Sequence, residues 1–187
     1  MGVHRWCDTV EVEPDSSRLV ESALPIDLEL SLGPLCRGNH DPVMRRRAKN
    51  EYVRAIRTSE GPVTLRFVQR SATNVHVEAF GPGHRFAIEH CPDFVGANDS
   101  LEGFEPSGPV AELHRRFAGL RMIRTRTLFQ NLLVSVLEQK VHGKDAFMSY
   151  RAIVRELGEP APGPFELWLT PEPALLVADS TRAPVIE

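Results

Sequence analysis

An α+β fold, with an antiparallel sheet first and helices after it, is predicted by three observations. Residues 52–58, 63–69 and 74–80 are runs rich in β-branched and aromatic side chains, and the breaks between them are short enough for hairpins. From Val110 onward the apolar period changes from two residues to about 3.6 and stays there. Between the two regimes, residues 98–108 are acidic and turn-rich, with Asp99, Glu102, Glu105, Pro106 and Gly108, which marks a boundary between two lobes.

The elements follow in chain order. Residues 1–23 lack periodicity and contain Pro14, Asp15, Ser16 and Ser17, so they read as a flexible lead. Ile26, Leu28, Leu30 and Leu32 alternate with Asp27, Glu29 and Ser31, the pattern of a strand with one wet face, closed by Gly33 and Pro34. Residues 37–50 are a polar loop with a short strand near Met44, and the three strands above complete a sheet lobe over residues 24–105. Gly81-Pro82-Gly83 punctuates the chain, and Phe86, Ala87, Cys91 and Phe94 are helically spaced, which predicts one short helix covering the sheet.

Residues 106–187 form the helical lobe. Val110 to Phe117 is its first helix. Leu128, Phe129, Leu132, Leu133, Val136 and Leu137 make the second, apolar nearly all round and therefore expected at the centre of a bundle. Ala146, Tyr150, Ile153, Val154 and Leu157 make the third, stopped by Gly158 and Pro160. A loop over residues 165–169 and a short fourth helix over 171–178 follow.

Composition narrows the function classes. No apolar run reaches the roughly 20 residues that span a bilayer, and the amino terminus lacks a basic segment followed by an apolar one, so a cytoplasmic protein is expected. Cys7, Cys36 and Cys91 are odd in number and widely spaced, and no two histidines stand at helical spacing, so neither a metal nor another cofactor is expected.

The net charge of −3 conceals a segregation. Residues 8–29 carry seven carboxylates against Arg18 alone, whereas Arg115, Arg116, Arg121, Arg124 and Arg126 have no carboxylate between them, and Lys140, Lys144 and Arg151 follow. Bases flanking one apolar helix are the footprint of a face that meets a phosphate backbone.

The helix Thr127-Leu128-Phe129-Gln130-Asn131-Leu132-Leu133-Val134-Ser135-Val136-Leu137-Glu138-Gln139-Lys140-Val141, followed by an amphipathic helix closed by Leu157-Gly158-Glu159-Pro160, resembles the bacterial 3-methyladenine DNA glycosylase II family of the helix-hairpin-helix superfamily. The likeness covers roughly residues 24–178 and is most specific over 129–160. Leu137-Glu138-Gln139-Lys140-Val141 stands where that family carries Leu-Gly-Gln-Gln-Val or a close variant, so Glu138 and Lys140 are departures.

The resemblance implies a TATA-binding-protein-like sheet lobe followed by an incomplete all-α glycosylase lobe, acting on double-stranded DNA, damaged or bent, in base-excision repair of alkylated purines. It places Gln139 and Lys140 at the corner that enters the minor groove; the neighbouring His142 and Lys144 and the basic Arg124 and Arg126 are further candidate DNA contacts, and the aromatic Phe129 and Trp168 are candidates for the base pocket. The glycine-rich hairpin turn and the aspartate that the family uses for excision have no counterpart. Ala161-Pro162-Gly163-Pro164 lacks the second glycine, and Asp179 precedes the expected position.

The resemblance therefore describes a metal-independent glycosylase truncated before its catalytic half, inactive alone and nucleoid-associated, with a partner chain as the expected source of that half. A non-catalytic DNA-binding module using the basic helical face is the alternative.

Overall fold

The computed structural model describes residues 12–180, with side chains to Val177. Five antiparallel strands form one sheet: β1 (Ser16–Glu21), β2 (Met44–Ala48), β3 (Glu51–Thr58), β4 (Gly61–Gln69) and β5 (Asn74–Phe80), in the order β1-β5-β4-β3-β2. Tyr52 faces Phe67 across β3 and β4, and Phe67 faces Val77 across β4 and β5, so the β-branched and aromatic runs pair with one another.

Residues 16–21, within the span expected to be a flexible lead, are ordered. Ser16–Glu21 is an edge strand, paired with β5 from Ser16–Ala79 to Glu21–Asn74. Only Val20 of that strand is buried, so its side chains carry almost no pattern, and the open backbone edge of β5 recruits it instead.

The strand expected over Ile26 to Leu32 is a helix, α1 (Leu28–Leu32), continued by a single 3-10 turn over Gly33–Leu35. Asp27 caps α1 by accepting from the amides of Glu29 and Leu30 at 2.8 and 3.1 Å. Leu28 and Leu32 are four residues apart, a spacing that puts two side chains on one face of a strand and of a helix alike, and the cap decides between them. The covering helix is also two helices, α2 (His84–Glu89) and α3 (Cys91–Val95), because Pro92 has no amide with which to continue the ladder.

The later helices are α4 (Gly108–Arg116), α5 (Leu128–Leu137), α6 (Gly143–Leu157) and α7 (Pro173–Ser180), and a two-residue ladder joins β6 (Glu159–Pro160) to β7 (Trp168–Leu169). Ala161 to Pro164, the segment with a passing likeness to a hairpin turn, connects β6 and β7. Its Gly163 adopts φ +88° against Phe80. Gly158 closes α6 where a Cβ would land on the carbonyls of Val154 and Leu169, so β7 lies directly against the helix end.

Two cores sandwich the sheet. Tyr52, Ile56, Val63, Leu65, Phe67, Val75 and Val77 pack on one face beneath Leu28, Ala87 and Phe94. Val43, Val53, Ala55 and Phe80 pack on the other with Val134, Tyr150, Val154, Phe165, Leu167 and Leu169. The second core crosses the boundary that the sequence places at residues 105 and 106.

Between α4 and α5 the chain runs as a strap. Asp27 donates its amide to the Gly119 carbonyl at 2.7 Å, the Arg121 amide donates to Ser31 Oγ at 3.0 Å, and the Arg124 amide donates to the Asp93 carbonyl at 3.0 Å. Arg121 is 3% exposed, so it belongs to this packing and not to the basic face on which its sequence neighbours place it.

Candidate nucleic-acid interface

The site is the corner between α5 and α6, and it begins with what holds those helices against the sheet. Arg54 of β3 is 5% exposed, and its Nη2 donates to Thr127 Oγ1 at 2.9 Å, which occupies the hydroxyl that would otherwise cap α5. Burial lowers the Arg54 guanidinium pKa to about 10. Asp41, also buried, accepts from the amides of Arg37, Val43 and Met44 at 2.7, 2.8 and 3.1 Å, and burial raises its carboxyl pKa.

Tyr150 of α6 closes this seam. Burial and, second, the Asp41 charge push its phenol pKa up, while Gln130 of α5 bonds to it. Cys36 lies at the edge, its thiol raised to about 11 by burial and then by Asp41. A thiol so raised is a poor nucleophile near neutral pH. Sheet, α5 and α6 are thus joined by one buried polar cluster as well as by the second core.

From that base the corner projects. Every residue from Glu138 to Asp145 is exposed, and Lys140 takes the left-handed conformation at φ 57° to reverse the chain. Gln139, Lys140, His142 and Lys144 are therefore brought together on one projection. His142 is the N-cap residue of α6 and makes no side-chain cap; the Asp145 amide donates to the His142 carbonyl at 2.9 Å, so the amides of Gly143 and Lys144 open this fifteen-residue helix, with the Asp145 carboxylate in the same turn.

Glu138 has a structural explanation: its carboxylate pairs with Arg37 at 2.9 Å and ties the corner to the loop before β2. Arg37 was absent from the sequence-derived site. The signal for it, Glu138 standing where the resembled family has a small residue, is legible only once the two are seen together.

Arg124 and Arg126 lie at the other end of α5, separated from the corner by the helix length of about 15 Å. Arg124 is exposed. Arg126 is held by Asp93, with Nε at 2.8 Å and Nη2 at 2.5 Å from Oδ2. The Asn98 amide at 2.8 Å, and then Arg126, keep the Asp93 carboxyl below the usual carboxylate range.

Phe129 is half-buried at α5's first turn, lining a cavity of about 250 Å³ with Arg57, Arg126, Thr170 and Pro173. Trp168 sits in β7, with the Arg155 guanidinium 4.9 Å from its ring centre and its side chain packed against the second core. Asp179 lies in α7, and its side chain is outside the described residues, as are Cys7 and the last seven positions. Among the described residues no cluster of histidine, cysteine, aspartate or glutamate could hold a metal ion, and no helix is long and apolar enough to cross a membrane.

A five-stranded antiparallel sheet with helices on both faces is an α+β fold found among DNA-glycosylase structures. The 3-methyladenine DNA-glycosylase from Archaeoglobus fulgidus superposes with a TM-score of 0.72 at 14% identity, over 87% of this chain and 58% of that one. MBOgg1, in a complex with a low-affinity DNA ligand, superposes with a TM-score of 0.65 at 12% identity, over 91% of this chain and 59% of that one. The chain thus spans somewhat less than three fifths of each structure. No protein-family model and no curated protein matches its sequence.

Proposed function

We propose that the chain is the sheet-and-corner portion of a DNA-glycosylase-like base-excision repair protein, nucleoid-associated in the cytoplasm, and that it binds duplex DNA through the α5–α6 corner. The observation that carries this reading is the corner itself: Gln139, Lys140, His142 and Lys144 are exposed together at the turn that opens α6, whose N-cap residue makes no side-chain cap. The fold shared with two glycosylase structures supports it. In this reading Lys140 and Lys144 contact phosphate, while Gln139 and the half-exposed Val141 face the groove.

The finer reading is that the complete protein excises alkylated purines, with the excising half supplied by polypeptide outside these 187 residues. A second reading, a non-catalytic binding module, is favoured by one observation: Ala161 to Pro164 docks on Phe80 as a β-connection and offers no hairpin to a phosphate.

The test is fluorescence anisotropy on a duplex carrying one abasic-site analogue, measured across salt concentrations. Binding should weaken linearly on a log–log scale, and Lys140→Ala and Lys144→Ala should each reduce the slope by about 1. Binding that ignores salt sinks the proposal. Release of an alkylated purine by the 187-residue chain alone would overturn both the non-catalytic reading and the need for another polypeptide.

A further inference from the structure

α5 is at odds with its surroundings. Its ten residues include no charged side chain, yet only Val134 is buried, at 6% exposure. Leu128, Leu132 and Val136, at four-residue steps on one face, are 84%, 56% and 55% exposed. They form a straight apolar ridge about 12 Å long. Scattered exposed leucines are ordinary, but a charge-free ridge along a regular helix marks a contact surface.

Duplex DNA does not fit this ridge, because α5 offers the phosphates no cation between Arg126 and Lys140. A second helix does fit, since i, i+4 ridges seat in the grooves of another helix and a ridge of this kind gains most from being covered. The size of what is missing points the same way. The two glycosylase structures match 87% and 91% of this chain but are themselves covered to only 58% and 59%, so about two fifths of each has no counterpart here.

We infer that the Leu128, Leu132 and Val136 face of α5 docks an amphipathic helix of a polypeptide lying outside these 187 residues. The helix carries apolar residues at i, i+3 or i+4 and a carboxylate toward the end of the ridge that meets the exposed Arg124. The identity of that polypeptide as the rest of a glycosylase-like fold rests on the proposed function. The docking surface is tested separately from DNA affinity, because the ridge residues lie outside the corner.

The experiment places a photoreactive benzoylphenylalanine at position 132 or 136 of the chain in its source cells, with position 156 on α6 as control, and maps the adducts by mass spectrometry. The expected adduct is a helical segment absent from these 187 residues. A synthetic peptide of that sequence should gain helical circular dichroism on mixing with the purified chain and bind at least tenfold more weakly to the Leu132→Glu/Val136→Glu variant. Leu132→Gln, milder and at an exposed position, checks that weakening does not reflect unfolding.

An adduct to a second copy of the chain, to its own terminal residues or to lipid overturns the inference. So does labelling no stronger than at position 156, or a mapped peptide that fails to bind. DNA affinity unchanged in the double variant, alongside lost peptide binding, would confirm that the two surfaces are separate. DNA affinity lost in it, with the fold intact, would show the ridge to be part of the DNA site and overturn the inference.

Discussion

At the scale of single residues, conformation and charge make opposite demands at the corner. Lys140 holds a left-handed backbone conformation that costs a side-chain-bearing residue about 1 kcal/mol and costs glycine almost nothing. Lys140→Gly is therefore expected to raise stability by about 0.5–1 kcal/mol in urea unfolding while weakening DNA binding. A variant that loses both, or keeps both, would deny that lysine stands there for its charge. Asp93 supplies a second residue-level expectation. Asp93→Asn, which weakens the bonds to Asn98 and Arg126, should cost about 1–2 kcal/mol at pH 7. Because the folded-state pKa of Asp93 lies below its unfolded value near 3.9, its contribution is present above that value and disappears as pH falls through the depressed one. The urea midpoints of wild type and Asp93→Asn should therefore converge as the pH is lowered below about 4.

At the scale of elements, α5 separates helix formation from burial. Val134→Ala removes apolar atoms from the second core and is expected to cost about 2 kcal/mol, whereas Leu132→Gln on the open ridge should stay within about 0.5 kcal/mol. Equal losses at the two positions would mean that the ridge is covered within the chain itself. The end of α6 is less forgiving. A methyl group at position 158 would collide with two backbone carbonyls that cannot withdraw, so Gly158→Ala should destabilise by more than about 2 kcal/mol, read from the same unfolding curves. The pairing of β7 with β6 beside that helix end is what a side chain there would displace.

At the scale of the whole molecule, the sheet and the later helices unfold as one unit if the second core is as continuous as its contacts. Far-ultraviolet circular dichroism, which reports the sheet and helices together, and tryptophan fluorescence, which includes Trp168, should give coincident urea transitions. Two separated transitions would restore the division at residues 105 and 106. The same continuity explains how the corner is aimed. Arg54, Asp41, Thr127, Gln130 and Tyr150 come from the sheet, the preceding loop and both helices, so the corner that carries Lys140 and Lys144 stands on a buried polar cluster.

Local chemistry determined much of this from the sequence alone. The hairpin strands β3, β4 and β5, the helices α4, α5 and α6, the stop at Gly158 and the clustering of Gln139, Lys140, His142 and Lys144 follow from periodicity, turn residues and a short run of neighbours, all of which act over a few positions. Tertiary structure decided the rest. β1 exists because β5 offers a free edge, and Arg121 is buried because the strap crosses Ser31. Arg126 is bound by an aspartate 33 positions away, and Glu138 by Arg37, about 100 positions away between β1 and β2. Each of these turns on a partner distant in the chain. A pattern of neighbours can state that a side chain is charged or apolar, but only the folded backbone determines which partner, if any, it meets.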